Sequence, residues 1–550
     1  MPTDTSRPVP AGSAADPLDA WRAALATGEA AAMSVARARQ GEFAVALNTP
    51  DGARAFGAVD RFSVRTLCYR MQGGRLHMAE RADELAGPQP EIDPQAIFDY
   101  LYFHCIPSPR TIFKSVHRLP PGHCVWWDGA QPRVQPYWKP QFPVTRPVPP
   151  FEALRDEFRS VLRAAVERQL GDGIPACFLS GGTDSSTVAG MIGQAAGRHA
   201  HTYSIGFQAE GYDEMAFARI AARHFQTEHH EYYVTPEDLV RSIASVAQAY
   251  DQPFGNSSAL PAYYCAKVAH DDGVTRMLAG DGGDELFGGN SRYAKQRVFG
   301  WYGHVPAPLR AGLLQPLIEG TPLGTLPGLS KARSYIEQAK VPMPERTQMY
   351  NLLLRIGVGE VLEPDFAALI DAQAPARLQR SVWDAPADAG ELNRTLAFDW
   401  RFTLADSDLP KVRGTTALAG VSVGFPFLDD DMLAFSCRLP EDHKLRGLKL
   451  RWFFKEALRG FLPDEIITKK KQGFGLPFGV WCNGHDALKA LARDSLSSLG
   501  TRGVVRPAFV RTLFDQLLPQ HPGYYGEMVW ILMMLEQWLR RHAPNYHATR

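Results

Sequence analysis

Apolar residues change their spacing twice along the chain. From Phe43 to Trp138 they come in short runs, Phe43-Ala44-Val45-Ala46-Leu47, Arg65-Thr66-Leu67-Cys68-Tyr69 and His123-Cys124-Val125-Trp126-Trp127, separated by Gly, Asp and Pro. That rhythm predicts a small domain of strands and turns over 41–139. Residues 1–40 are rich in Ala, Pro and small polar residues and read as a poorly ordered arm, with a helix around Leu18 to Ala26. Five prolines in the eleven residues 140–150 predict a linker. Beyond it, Phe151, Leu154, Phe158, Val161, Leu162 and Ala165 mark one face of a helix. Strand-like and helix-like segments then alternate: Ile174–Leu179, Ser186–Ala195, His201–Phe207, Met215–Phe225, Glu228–Val234, Pro236–Tyr250 and Val274–Ala279. Such alternation predicts an α/β fold with a mostly parallel sheet covered by helices on both faces. From about Ser330 onward the pattern is helical, so 151–545 reads as one large domain with a helical C-terminal part.

Composition narrows the function classes. Across 550 residues, 59 Lys plus Arg balance 59 Asp plus Glu, which gives no support to bulk nucleic-acid or anionic-membrane binding. Seven scattered cysteines without a CxxC pair predict reduced thiols. The first forty residues lack an apolar core after a basic start, and no run of about 18 apolar residues occurs, so the expected location is the cytoplasm.

Two loops carry the candidate chemistry. Ser180-Gly181-Gly182-Thr183-Asp184-Ser185-Ser186 follows one strand-like run and opens a helix. Its glycines admit a phosphate close to the backbone, its serines offer hydroxyls and the helix start favours an anion. Asp184 adds a carboxylate able to hold Mg²⁺ against the same phosphates. The stretch looks like a site where ATP is split between its α and β phosphates, and the absent GxxxxGK[ST] pattern argues against γ-phosphate transfer on a P-loop; a Ser/Gly-rich turn is the bland alternative. Leu278-Ala279-Gly280-Asp281-Gly282-Gly283-Asp284-Glu285-Leu286-Phe287-Gly288-Gly289 packs three acids among five glycines, after another strand-like run. Neighbouring carboxylates raise one another's pKa unless a cation sits among them. With Asp184 they match a Mg²⁺–pyrophosphate site, whereas alone they would read as a solvated turn. His229-His230-Glu231 makes a poor chelate, because adjacent strand residues point to opposite faces, and is read as strand packing.

The two motifs together resemble the asparagine synthetase family. The likeness continues through Tyr203-Ser204-Ile205-Gly206-Phe207, Tyr212-Asp213-Glu214, Glu228-His229-His230-Glu231, Asp251-Gln252-Pro253-Phe254, Phe425-Pro426-Phe427-Leu428-Asp429 and Lys471-Gln472-Gly473-Phe474-Gly475-Leu476-Pro477. It implies an ATP pyrophosphatase (adenine nucleotide alpha hydrolase-like) domain that adenylates a carboxylate and lets an amine displace AMP. By the same resemblance, Leu179, Ser180, Gly181, Gly182, Asp184, Ser185, Ser186, Ile205, Ala279 and Gly280 would bind ATP. Asp184 and Asp284 would hold Mg²⁺, and Asp281 and Lys471 would be catalytic, while Lys469 and Lys470 read as solvated surface residues.

Departures from the family set further expectations. Asp281 stands where synthetases usually place Glu, which alters acceptor geometry. Val421-Ser422-Val423-Gly424 lacks the family's Glu/Arg pair, which involves either the substrate pocket or a local salt bridge. Residues 43–138 resemble the later half of an Ntn-type glutaminase domain in Asp60-Arg61-Phe62-Ser63-Val64-Arg65, Gly73-Gly74-Arg75-Leu76 and Arg118-Leu119-Pro120-Pro121-Gly122-His123. The chain begins Met1-Pro2-Thr3 with no cysteine before Cys68, itself in an apolar run, so this domain is expected to be a degenerate structural cap. The default substrate is aspartate, with free ammonia or ammonia from a separate glutaminase. A β-lactam-type or lasso-peptide cyclase, amidation of a polysaccharide precursor, and a non-catalytic scaffold are the rivals. The intact Asp184, Asp281, Asp284 and Lys471 argue against a scaffold.

Overall fold

The computed structural model describes residues 17–144, 146–304, 306, 309, 329–470, 473 and 475–548. Helices α1 (Pro17–Thr27) and α2 (Glu29–Ala38) precede an antiparallel sheet of β1 (Ala44–Asn48), β2 (Ala55–Val59), β6 (His123–Trp127) and β7 (Arg133–Pro136), in that spatial order. A smaller sheet has β3 (Cys68–Gln72) between β4 (Arg75–Ala79) and β5 (His117–Arg118). Helices α3 (Ala82–Ala86) and α4 (Pro94–Phe103) lie between β4 and β5 in the chain.

The helix expected around Leu18 to Ala26 is α1, and with α2 it is packed against the sheet. Residues 17–38 are helical because Trp21, Ala24, Leu25, Ala32 and Ala36 fall on faces that pack against Phe43, Phe56 and Trp126. The Trp21 ring lies 5.9 Å from those of both Phe43 and Phe56. This cluster closes one face of the antiparallel sheet, which would otherwise expose its apolar side.

The motif Asp60 to Arg65 owes its shape to one buried carboxylate. Asp60 Oδ1 accepts from the backbone N–H of Phe62 (3.1 Å) and Val64 (2.9 Å), and Oδ2 accepts from that of Arg65 (2.9 Å). Arg61 is turned outward and bonds Asp430 at 2.6 Å, joining this domain to the large one. A second tie is Arg118 to Asp251 at 2.6 Å. A third is the Tyr100 hydroxyl, which donates to the Ile531 carbonyl at 2.7 Å.

After the linker, α5 (Phe151–Gln169) leads into β8 (Ala176–Phe178), α6 (Thr183–Ala196), β9 (His201–Phe207), α7 (Met215–Phe225), β10 (Glu228–Val234), α8 (Pro236–Ala249), α9 (Ala259–Asp271), β11 (Arg276–Leu278) and α10 (Gly283–Phe287). With β12 (Ser422–Gly424) the strands form a parallel sheet in the order β10-β9-β8-β11-β12. The predicted alternation is therefore realised, with α9 and β12 added. The chain runs outward from β8 through β9 to β10, then returns to build β11 and β12 on the other side. The order reverses between β8 and β11, and the loops after those two strands part there to leave a crevice.

The other described residues are mostly helical, with one hairpin of Leu445–Arg446 and Lys449–Leu450, and the last helix, Pro522–His542, buries the side chains from Met528 to Leu539. No described helix is long and apolar enough to cross a membrane. All seven cysteines are buried and unpaired, as reduced thiols require. Trp21→Ala should lower stability by about 3–5 kcal/mol in urea denaturation, the usual cost of removing a packed aromatic. A loss below about 0.5 kcal/mol would return residues 17–38 to the status of a loose arm.

Candidate active site

The loops after β8 and β11 touch. A Cβ on Gly280 would meet the Ser185 backbone nitrogen at 2.9 Å, and one on Gly283 would collide with the Asp184 carboxylate, so this approach requires glycine. Gly181 has a φ of 67° and lies against the backbone of Phe217 and Ala218 on α7. The Ser185 hydroxyl accepts from the Ser180 N–H at 3.1 Å and lies 3.0 Å from the Ser180 hydroxyl, which shapes the turn into α6. No side chain caps α6 at Gly182, so its first-turn N–H groups and dipole face the crevice as an anion site.

The crevice is a cleft of about 1080 Å³. Leu179, Ser180, Gly182, Asp184, Ser185, Ile205, Gly280, Asp281 and Asp284 line it. Gly181, Ser186 and Ala279 lie behind that surface. The Ser186 side chain is fully buried and its hydroxyl has no hydrogen-bond partner, so it faces the core of α6 rather than the cleft. Lys471 lies outside the described residues.

Arg451 was not foreseen, and it organises the acids. Its Nη1 donates to Asp184 Oδ2 (2.7 Å), Asp284 Oδ1 (2.8 Å) and Thr183 Oγ1 (2.9 Å), and its Nη2 to Asp184 Oδ1. The guanidinium also stacks 3.8 Å over the Phe454 ring. Burial works against this charge, but Asp184 and Asp284 outweigh it and raise the Arg451 pKa. The space between the two carboxylates is thus a cation position, furnished with hard oxygen ligands of the kind Mg²⁺ takes.

A second charged group lies deeper. Burial raises the Asp281 carboxyl to about 6, with Lys411 pulling it down and Asp408 and Asp184 pushing it up. Lys411 donates to Asp408 at 2.8 Å from the helix Leu409–Leu418. Burial disfavours the Lys411 charge, yet Asp408 and Asp281 leave its pKa raised. The pair Asp281 and Lys411 can therefore exchange a proton with a ligand and balance a developing negative charge.

Lys469 corrects the expectation of a solvated residue. Its side chain is only 7% exposed, pairs with Glu214 at 3.0 Å and lies 4.4 Å over the Phe217 ring. Lys470 is exposed, as expected, and borders the cleft. Neither Arg451 nor Lys411 belongs to a local motif; the one available signal was a basic residue in an otherwise apolar helix start. Ser422 and Gly424 sit on β12 outside the cleft lining.

Comparison with known proteins adds two matches. The family described as Asparagine synthase matches residues 157–540, and the Glutamine amidotransferase domain matches residues 24–138. Glutamine-hydrolyzing asparagine synthetase 1 of Bacillus subtilis (strain 168) is 24% identical over 520 residues, covering 92% of this chain and 78% of the relative. A putative glutamine-hydrolyzing asparagine synthetase of Mycobacterium bovis is 26% identical over 475 residues, covering 82% and 69%. Amidase chyE of Penicillium rubens is 24% identical over 531 residues, covering 86% and 76%.

Arg451→Met should destabilise the metal-free protein by about 3–5 kcal/mol in urea denaturation, because it leaves two carboxylates in a half-buried site without their cation. Adding Asp184→Asn and Asp284→Asn should recover part of that loss. A cost under about 1 kcal/mol for Arg451→Met would mean that the guanidinium does not hold the loops together.

Proposed function

The chain belongs to the asparagine synthase family and is a ligase that forms carbon–nitrogen bonds, and we propose that it works by ATP-dependent adenylation of a carboxylate. The observation that carries this reading is the meeting of the two loops at the strand-order reversal, with Asp184 and Asp284 sharing one cation position. A cleft of about 1080 Å³ has room for a nucleotide and a second substrate side by side.

In this reading the α6 N-terminus with Ser180 and Gly182 cradles the phosphates, and Leu179, Ile205 and Gly280 flank the nucleotide. Asp184 and Asp284, which share the Arg451 guanidinium in this structure, would hold Mg²⁺, and that ion would supply positive charge for the phosphates. A substrate carboxylate oxygen bonds to the α phosphorus as the bond to the β-phosphate bridging oxygen breaks. An amine then attacks the acyl carbon, AMP leaves, and the Asp281 carboxylate takes the amine proton. Lys411 offsets the negative charge that collects on the acyl oxygen, and Lys471 is assigned a similar role at the phosphates. Aspartate and ammonia are the default pair.

The N-terminal domain acts as a cap rather than a glutaminase. None of the seven cysteines suits a nucleophile: burial pushes the Cys68 and Cys124 thiols up to about 12, Cys437 to about 11 and Cys482 to about 12. Burial raises Cys105, Cys177 and Cys265 as well. A thiolate is the reactive form, and these sites disfavour it.

Pyrophosphate release from ATP and Mg²⁺ tests the reading, scanned over aspartate, glutamate and peptides with ammonium or glutamine. Release is expected with aspartate and ammonium, not with glutamine, and Asp184→Asn or Asp284→Asn should slow it by on the order of a hundredfold. Release only with a peptide or glycan would replace aspartate, and none with any carboxylate would sink the ligase mechanism. The rate should fall as pH drops below about 6, where the Asp281 carboxylate takes up its proton. Asp408→Asn removes a like charge and should move that limb to lower pH; an unmoved limb would assign it to another group.

A further inference from the structure

A second cluster of ligating groups lies at the opposite end of the parallel sheet. Strands β9 and β10 pair in parallel with Glu228 beside His201 and His230 beside Tyr203. Residues two apart on a strand share a face, so Glu228 and His230 stand together with His201 across the ladder. His229 turns to the other face, where its Nδ1 meets the Thr202 hydroxyl at 2.9 Å. The objection to adjacent histidines therefore holds for His229, but His201 supplies the missing partner for His230.

The three groups are close enough to share one ion, each histidine lying nearest a different oxygen of Glu228. His201 Nε2 lies 3.2 Å from Glu228 Oε2, and His230 Nε2 lies 3.4 Å from Glu228 Oε1. One ligand atom from each of the three residues falls within 4.8 Å of the others. Nitrogen and oxygen ligands about 2.0–2.2 Å from a tetrahedral ion stand about 3.3–3.6 Å from each other. A simple imidazole–carboxylate pair would aim its N–H at the oxygen. His230 Nε2 does not: it is buried and has no hydrogen-bond partner despite that near oxygen.

The surroundings orient the cluster. His230 Nδ1 lies 3.0 Å from Asp272 Oδ2, a carboxylate placed to hold the Nδ1 proton and leave the Nε2 lone pair for a ligand. The His230 ring stacks between Tyr203, at 4.7 Å, and His201, at 5.8 Å, with interplanar angles of 17° and 16°. Glu228 is 61% exposed, which provides an entry path and room for a water as fourth ligand.

We propose that His201, Glu228 and His230 bind a divalent ion of the zinc class, oriented by Asp272, at the sheet edge near the amino ends of β9 and β10. Two imidazoles and a carboxylate suit Zn²⁺ and not Mg²⁺. The ion ties the edge strand β10 to β9.

The test uses the full chain, stripped with a chelator and kept in excess Mg²⁺ to occupy hard oxygen sites. Titration with Co²⁺ should give the intense visible bands of a four-coordinate ion at one equivalent, and Zn²⁺ should displace them. Asp272→Asn should weaken Zn²⁺ binding about 10- to 100-fold. His201→Ala with His230→Ala should abolish it while leaving pyrophosphate release unchanged. A weak six-coordinate cobalt spectrum, no saturable equivalent, or equal binding by the doubly substituted protein would each overturn the proposal. The cobalt spectrum of the unsubstituted chain decides the matter even if those variants fail to fold.

Discussion

Two carboxylates facing one another across two loops are the constraint on which the large domain's organisation rests. At about 5 Å and an effective dielectric near 20, a pair of like charges repels by about 3 kcal/mol. The β8 and β11 loops therefore cannot close on each other unless a cation sits between Asp184 and Asp284. Arg451 supplies it, and does so from a residue held in the left-handed region, with φ of 54°, at the head of the helix Trp452–Ala457. That helix buries Phe453 and Phe454 in the same core that packs β8, α6 and β11. The electrostatic tie and the hydrophobic core are thus coupled: the core aims the guanidinium, and the guanidinium lets the glycine loops approach.

The cap domain is held to this arrangement by ties that bury charge. Burial opposes the Asp251 charge, yet Arg118 with the Ala82 N–H and Arg81 keeps its pKa below the usual carboxylate range. Such a pair contributes little net stability but makes a misplaced domain costly, since separating the partners strands a buried charge. Arg61 performs the matching task at Asp430, which follows the Phe425-Pro426-Phe427-Leu428-Asp429 run, whose Phe427 and Leu428 lie against Gly282. The Asp60-to-Arg65 motif thereby has a structural use: Asp60 shapes the turn and Arg61 reaches across.

Much of this was legible in the sequence wherever the signal is local. The glycine loops, the 3.6-residue face of α5 and the strand–helix alternation each depend on neighbours within a few positions, and they appear where expected. Strand β2, Ala55-Phe56-Gly57-Ala58-Val59, was missed because all five positions are buried and it shows no two-residue alternation. The helix around Leu18 to Ala26 was foreseen, but its packing and the second helix were not, because alanine-rich helices carry a weak polar-apolar contrast and only Trp21 and Leu25 announce the buried face. Arg451 and Lys411 escaped for a different reason: Arg451 lies more than a hundred residues from Asp184 and Asp284, as Lys411 does from Asp281, and sequence spacing holds no trace of those contacts.

The same distinction explains the placement of chemistry on β9 and β10. A parallel strand presents its carboxyl end to the ligand crevice and its amino end to the opposite rim. Ile205 and Phe207, near the end of β9, belong to the cleft side and its core, while His201 begins the strand at the far rim. Glu228 opens β10 beside it, in a register set by backbone hydrogen bonds rather than by any feature of the histidines themselves. Read singly, each histidine is an ordinary strand residue. Only the register sets His201 beside Glu228 with His230 two residues on, so the sheet that opens the crevice at one end also determines which side chains converge at the other.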